Sequence, residues 1–191
     1  LQVESDENLV LSGGSLAVSG LFTMGPGTTL GITGGALSVG TALVAPVVNL
    51  SAGSLGGTGS ITVTSDFNRT GGTFNPTGNL DLTRSLGTFS FGAFSTAAAL
   101  RLATLGTNDI QINGSLQTTG ANLTLDSGRD VRIGSTSNLT TVGSGTITLT
   151  AARDVDLKVN DGGATAASNS ISAAGNLAIT ATAGQIMRTD A

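Results

Sequence analysis

Short runs of three residues, in which the first and third are apolar, recur along the whole chain. They lie about 21 residues apart on average, at positions 9–11, 30–32, 48–50, 61–63, 80–82, 100–102, 123–125, 147–149 and 177–179. Because successive side chains of a strand point to opposite faces, each run predicts a strand with one buried face. A fixed period near 20 residues is typical of solenoids, in which each coil buries its apolar face against its neighbours.

A glycine-rich phrase follows the early runs. It reads SGGSLAVSG at 12–20, TGGALSVG at 33–40, SAGSLGGTG at 51–59 and TGGTFNPTG at 70–78. Its third residue is Gly14, Gly35, Gly53 or Gly72, and an apolar residue always follows two positions later. Glycine readily adopts the positive φ of a tight corner, so the phrase predicts a corner, a strand and a second corner.

These patterns together predict an all-β fold, a parallel β-solenoid of roughly nine coils of about 21 residues, in a single segment over residues 1–191. The step from Val48 to Ile61 is only 13 residues, which leaves open that the pair at Ile61 belongs to a different face of the stack. Residues 160–168 are small and polar and predict a loop. The predicted core comprises Leu9, Leu30, Leu80, Leu100, Leu123, Leu125, Ile147, Leu149, Leu177 and Ile179.

Composition narrows the possible chemistry. The chain has no His, Cys, Tyr or Trp, which removes the commonest general base, the commonest zinc ligand and all thiol chemistry. Its net charge is −4 and Lys158 is the only lysine, so we expect no binding to nucleic acid. The longest apolar run, 42–48, contains Pro46 and is too short to span a bilayer, so we also expect no membrane insertion. No cofactor or metal ion is expected.

Three charged motifs in the second half carry the candidate site. They are NDIQI at 108–112, RDVRI at 129–133 and RDVDL at 153–157, and in each an aspartate precedes an inward apolar residue. Asp109, Asp130 and Asp154 are therefore predicted to form an outward column. A second column contains Gln111, Arg132 and Asp156.

Two interpretations of this acidic column stay open. Stacked carboxylates can bind calcium or act as acid and base on a polysaccharide. Alternatively, each aspartate opens its strand as a turn residue while neighbouring arginines neutralise it, which is the interpretation that we favour. The arginines concerned are Arg129, Arg132 and Arg153.

Together with GANLTLDSGRDVRI at 120–133 and AAGNLAITATAGQI at 173–186, these motifs resemble the repeat region of filamentous haemagglutinin. The wider class comprises two-partner-secreted exoproteins and autotransporter passengers. The resemblance implies a right-handed, single-stranded parallel β-helix. It also implies a location in the secreted fraction or on the outer surface of a Gram-negative bacterium.

The expected function is a structural or adhesive β-helical segment of a large secreted or surface-attached bacterial exoprotein, without enzymatic activity. The resemblance implies a host-cell, matrix or glycan receptor as partner, and an outer-membrane secretion pore during export. The chain is expected to be a fragment of a longer exoprotein and to associate end to end through its terminal coils. The alternative is a polysaccharide-cleaving β-helix enzyme with an acidic face around Asp109, Asp130 and Asp154.

Overall fold

A computed structural model describes residues 1–159 and 170–187 of the 191-residue chain. Every regular element in them is a β-strand, and the parallel stacked strands form a β-solenoid of about seven turns of roughly 21 residues. The all-β parallel solenoid and its repeat length are thus confirmed. The turns are fewer than the roughly nine expected. The loop predicted at 160–168 lies outside the described residues.

The chain divides into two compact units, Leu1–Thr83 and Arg84–Ala191. The first eleven strands are β1 (Gln2–Val3), β2 (Asn8–Leu11), β3 (Ser15–Val18), β4 (Leu21–Met24), β5 (Thr29–Ile32), β6 (Ala36–Val39), β7 (Ala42–Leu50), β8 (Ser54–Gly57), β9 (Ser60–Arg69), β10 (Thr73–Pro76) and β11 (Leu80–Arg84). None of the described elements is a helix that could cross a membrane.

The remaining strands belong to the second unit. They are β12 (Phe89–Phe91), β13 (Phe94–Thr96), β14 (Leu100–Thr104), β15 (Ile110–Ile112), β16 (Leu116–Thr119), β17 (Leu123–Ser127), β18 (Val131–Gly134), β19 (Leu139–Val142), β20 (Ile147–Ala151), β21 (Val155–Val159), β22 (Ile171–Ser172), β23 (Leu177–Ala181) and β24 (Ile186–Met187).

The long strands β7 and β9 of the first unit each contribute to two stacks. Their second halves continue the stack of β2 and β5, so that Val48 lies in register with Phe67. Their first halves continue β4 instead, and Leu43 lies in register with Ile61. The pair at Ile61 therefore belongs to a different stack from Val48, which explains the short step of 13 residues in the sequence.

The glycine phrases form the corners and the third face of the first unit. Strands β3, β6, β8 and β10 begin just after the glycine at the third position of each phrase and stack in register. Three of these glycines have positive φ: Gly14 (66°), Gly53 (70°) and Gly72 (66°). Gly35 instead allows Leu11 of the preceding turn to approach closely, because a Cβ atom at position 35 would lie 2.5 Å from Leu11 Cγ. The predicted corner–strand–corner unit is confirmed.

The second unit also presents three faces per turn. One face stacks β14, β17, β20 and β23, a second stacks β12, β15, β18, β21 and β24, and the third stacks β13, β16, β19 and β22. Along the first of these faces Leu123 lies in register with Leu100 on one side and Ile147 on the other. Each charged motif of the sequence begins at the corner between the first face and the second.

Most of the predicted core is buried. Seven members are at most 2% exposed, namely Leu30, Leu80, Leu100, Leu123, Leu125, Ile147 and Leu149. Leu9 and Ile179 are half-buried, and Leu177 is 48% exposed. These three residues lie on β2 and β23, and each of these strands pairs on one side only within the described chain. For Leu177 the prediction of burial is therefore wrong.

Candidate functional site: an arginine–aspartate ladder

The three aspartates of the charged motifs lie at equivalent corners of successive turns. Asp109 precedes β15, Asp130 precedes β18 and Asp154 precedes β21. The apolar residues that follow them, Ile110, Val131 and Val155, are in register across these strands, as their spacing in the sequence indicates. The structure therefore brings the three aspartates together in one column.

The sequence predicts an outward column, but most of the column is buried. Residues Asp109 and Asp130 are each 2% exposed, and of the three aspartates only Asp154 is partly accessible. The prediction of an outward, exposed column is wrong because strand alternation does not apply at a corner. Here the carboxylate turns toward the next turn of the stack, where the amide of Asp130 donates to Asp109 Oδ1 at 3.2 Å.

An arginine of the next turn closes each buried carboxylate. Arg129 Nε donates to Asp109 Oδ1 at 2.6 Å, and Arg129 Nη2 donates to Asp109 Oδ2. One turn on, Arg153 binds Asp130 through the same two nitrogens, and the amide of Asp154 donates to Asp130 Oδ1 at 3.2 Å. Two parallel bonds from a guanidinium to a carboxylate are the strongest common form of ion pair in proteins. We call this arrangement of Asp109, Asp130, Asp154, Arg129 and Arg153 the Arg–Asp ladder.

Both ends of the Arg–Asp ladder have different partners. Beyond Asp154 the next turn has Gly184, where a Cβ atom would collide with Asp154 Oδ1, and the amide of Gln185 donates to that oxygen at 2.9 Å. At the other end Asn108 stands where the later motifs have arginine. Its Nδ2 donates to the carbonyl oxygen of Ser85 at 2.7 Å, which lies one turn back.

The second predicted column lies beside the ladder. Arg132 is in register with Gln111 on one side and with Asp156 on the other. The Arg132 guanidinium also reaches the ladder, because its Nη2 lies 3.1 Å from Asp130 Oδ2. A shallow cleft of about 190 Å³ is lined by Asp130, Arg132, Arg153, Asp154, Asp156 and Met187.

Buried hydroxyl groups hold the corner that carries the ladder, and their role was not predicted from the sequence. Ser127 is 4% exposed and its hydroxyl donates to the carbonyl oxygen of Asp130 at 2.8 Å. Thr104 is 5% exposed and its hydroxyl donates to the carbonyl oxygen of Asn108 at 2.9 Å. Each hydroxyl residue lies two positions after an apolar pair, just before a corner. This shared position in the sequence could have indicated their role.

The electrostatics of Asp130 do not suit a general acid. Burial by itself would raise the pKa of Asp130, but hydrogen bonds from Arg153, from the Asp154 amide and from Arg132 outweigh it, and the pKa lies below its ordinary value. The hydrogen bond to Asp109 raises the pKa of Arg129, and the bond to Asp130 raises that of Arg153. A general acid in a glycosidase needs a carboxyl group with a raised pKa, which is the opposite direction.

The ladder also differs from a calcium site. Calcium takes six to eight oxygen ligands, whereas the oxygens of Asp109 and Asp130 accept bonds from arginines and amides. In residues 1–159 and 170–187, no group of three acidic side chains is placed to hold a metal ion. The arrangement is therefore chemically suited to joining neighbouring turns.

No family model matches the chain, and the comparisons with the curated proteins and with the solved structures found no match. The resemblance to haemagglutinin repeats therefore stays a prediction from the motifs quoted above. Function is accordingly inferred from the solenoid and from the chemistry of the ladder.

Proposed function

We propose that this chain is a structural or adhesive segment of a large secreted or surface-attached bacterial exoprotein. The single observation that carries the proposal is the burial of the Arg–Asp ladder. The charged cluster best suited to chemistry is committed to contacts between turns, with Asp109 and Asp130 only 2% exposed. What remains available to a partner is the outward side-chain columns of the three faces.

These outward columns favour binding by shape and hydrogen bonds. On the first face of the second unit, Thr124 lies in register with Arg101 and Thr148. On the third face, Gln117 lies in register with Thr140. Polar groups repeating about every 4.8 Å along a stack suit an extended ligand such as a glycan or a matrix protein. The proposed partners are therefore a host-cell, matrix or glycan receptor.

Localisation gives the first test. Antibodies raised against the purified chain are expected to label intact cells of the source organism, or to detect the protein in the culture medium. A cytoplasmic protein of the same cells serves as the lysis control. Labelling that appears only after the cells are permeabilised would contradict the proposal.

Binding gives the second test. The purified protein is applied to immobilised matrix proteins and glycans, beside two variants, Thr124→Glu with Thr148→Glu and Gln117→Glu with Thr140→Glu. Each variant changes one outward column and leaves the buried residues intact. We expect saturable binding to one ligand class and its loss in one variant only. Equal binding by both variants and the parent would exclude these two columns as the binding surface.

The enzymatic alternative is tested on acidic polysaccharides, with and without calcium. The informative variants are Asp154→Asn and Asp156→Asn, because these residues line the cleft and are more exposed than Asp130. Asp126→Asn, in a surface ion pair 2.8 Å from Arg101, is the control. We expect no turnover by any of the proteins. Turnover by the parent that is lost in Asp154→Asn and kept in Asp126→Asn would establish the enzyme instead.

A further inference from the structure

Alternation of apolar residues leaves an ambiguity in the second unit. On the second face, strand β18 has inward residues Val131 and Ile133, and Val131 lies opposite Val155 of β21. A slip of one residue would turn every inward side chain outward, so burial forbids it. A slip of two residues would keep the alternation and place Val131 opposite Leu157, which is also aliphatic. The apolar pattern alone therefore does not select between these two registers.

The pairing on this face is itself irregular. Val131 pairs with Val155 and Arg132 with Asp156, but Gly134 then pairs with Val159, so the register shifts by one residue within three positions. The regular part is the part that adjoins Asp130 and Asp154. The register thus changes farther along the strand, although the contacts there are apolar. Next to the corner it does not change.

The Arg–Asp ladder distinguishes the two registers sharply. In the observed register, one Arg–Asp dipeptide brings both the Arg153 guanidinium and the Asp154 amide to the buried Asp130 carboxylate. A slip of two residues moves both donors away by about 6.6 Å, the length of two strand residues. It would leave a buried carboxylate without these partners, which is among the costliest defects of a protein interior.

We propose that the Arg–Asp ladder is the device that sets the register between successive turns of the second unit. Each Arg–Asp dipeptide recognises the aspartate of the preceding turn and presents its own aspartate to the following one. Arg129 follows the turn that contains Asp109, and Arg153 follows the turn that contains Asp130. Where the preceding turn contains no aspartate at this corner, Asn108 stands instead of arginine.

The test traps the register chemically, and the absence of native cysteine makes it direct. Thr124→Cys with Thr148→Cys places two thiols in the observed register, and Thr124→Cys with Thr150→Cys reports a slip of two residues. All three threonines are outward and partly exposed. A disulfide needs Cα atoms within about 7 Å, which only the matching pair provides in each register. In the otherwise unchanged protein, we expect the first pair to crosslink at least roughly tenfold more than the second.

The ladder is then neutralised with Asp130→Asn and Arg153→Gln, which keep the shape and hydrogen-bonding groups of the side chains. We expect the slipped crosslink to rise at least roughly fivefold in this background, because amide groups tolerate loss of their partners better than a carboxylate does. The control is Gln117→Ala with Thr140→Ala, which changes an outward pair on the third face, away from the ladder and from the thiols, and should leave both yields unchanged. If the neutralised variant does not fold, Arg153→Lys replaces it, since lysine keeps the charge and loses the two parallel bonds.

Crosslink yields separate a register role from simple stabilisation. A variant that is less stable but keeps the tenfold preference for the observed register overturns the proposal, as does an equal increase in the control background. A folded variant in which the slipped crosslink increases, with the control unchanged, supports it.

Discussion

Both units align their turns through glycine corners, and the second unit adds buried ion pairs to them. In the first unit the alignment lies in the backbone, because corner glycines let neighbouring turns approach so closely that no Cβ atom fits. At Gly53 a Cβ atom would collide with the carbonyl oxygen of Gly35, one turn back. The second unit has such close glycine corners as well, for example at Gly128 against the carbonyl oxygen of Gly106, and it adds charged side chains to them, since Asp109 and Asp130 are clamped by arginines of the following turn.

The difference shows that one repeat length can be maintained by two kinds of physical constraint. A glycine corner acts through steric exclusion and φ, so it does not depend on pH or salt. A buried ion pair acts through charge and depends on the protonation of its carboxylate. The comparison therefore predicts different sensitivities in the two units.

The largest effect is expected where the units are alike, in the core. Leu43 and Leu125 are both 0% exposed, one in each unit. We expect Leu43→Asp and Leu125→Asp each to lower the free energy of unfolding by more than about 4 kcal/mol, because an unpaired charge would enter an aliphatic interior. Thr124→Asp, next to Leu125 but outward, should cost under about 0.5 kcal/mol. Urea unfolding followed by far-ultraviolet circular dichroism measures all three. A stable Leu125→Asp variant would show that Leu125 does not face the core.

Steric exclusion at the corners gives the next largest effect. Gly53 and Gly120 share a φ of 70°, but a Cβ atom would collide with backbone at Gly53 and meets nothing within 4 Å at Gly120. We expect Gly120→Ala to cost about 1 to 2 kcal/mol through φ alone. Gly53→Ala should cost about 3 kcal/mol, since overpacking adds to the same strain. Equal losses in the same urea experiment would show that close approach does not hold the first unit in alignment.

Removal of one ladder carboxylate is expected to have a somewhat smaller effect. Asp130→Ala takes away the acceptor of Arg153, Arg132 and the Asp154 amide, and we expect a loss of about 2 to 3 kcal/mol. Asp126→Ala removes a carboxylate that is 46% exposed and should cost under about 1 kcal/mol. Hydrogen exchange read by mass spectrometry should show the loss of protection in β18 and β21 and not in β6 and β8. Loss spread evenly over both units would contradict the comparison.

Acid is expected to have the smallest effect on the difference in stability between the two units. The pKa of Asp130 is below its ordinary value of 3.8 in the folded protein, so its contribution to stability is present above pH 3.8. That contribution is lost as the pH falls below 3.8 and through the folded-state pKa. We expect amide protection in β18 and β21 to decrease in this range before that in β6 and β8, and the difference to disappear in Asp130→Asn. The same pH dependence in both units would show that the ladder does not control acid sensitivity.

Much of the fold was predictable because it depends on local rules. Alternation at positions such as Leu123 and Leu125 predicts buried strand faces, and both residues are 0% exposed. The burial of Leu177 was predicted wrongly because alternation reports which way a side chain points and not whether another turn covers it. The arginines that neutralise the aspartates were correctly expected, since opposite charges occupy neighbouring positions of the same motif.

The sequence by itself determined the strands, their period and the inward face, because alternation and glycine corners act within one turn of the chain. It also indicated that Asp109, Asp130 and Asp154 would share a column, since their motifs recur at the period of the solenoid. Only the tertiary structure decided that Asp109 and Asp130 are buried and that each receives its arginine from the following turn. The physical reason is that a corner breaks the alternation of the strand. The direction of a side chain there is set by the backbone and charges of the neighbouring turn, about 20 residues away along the chain.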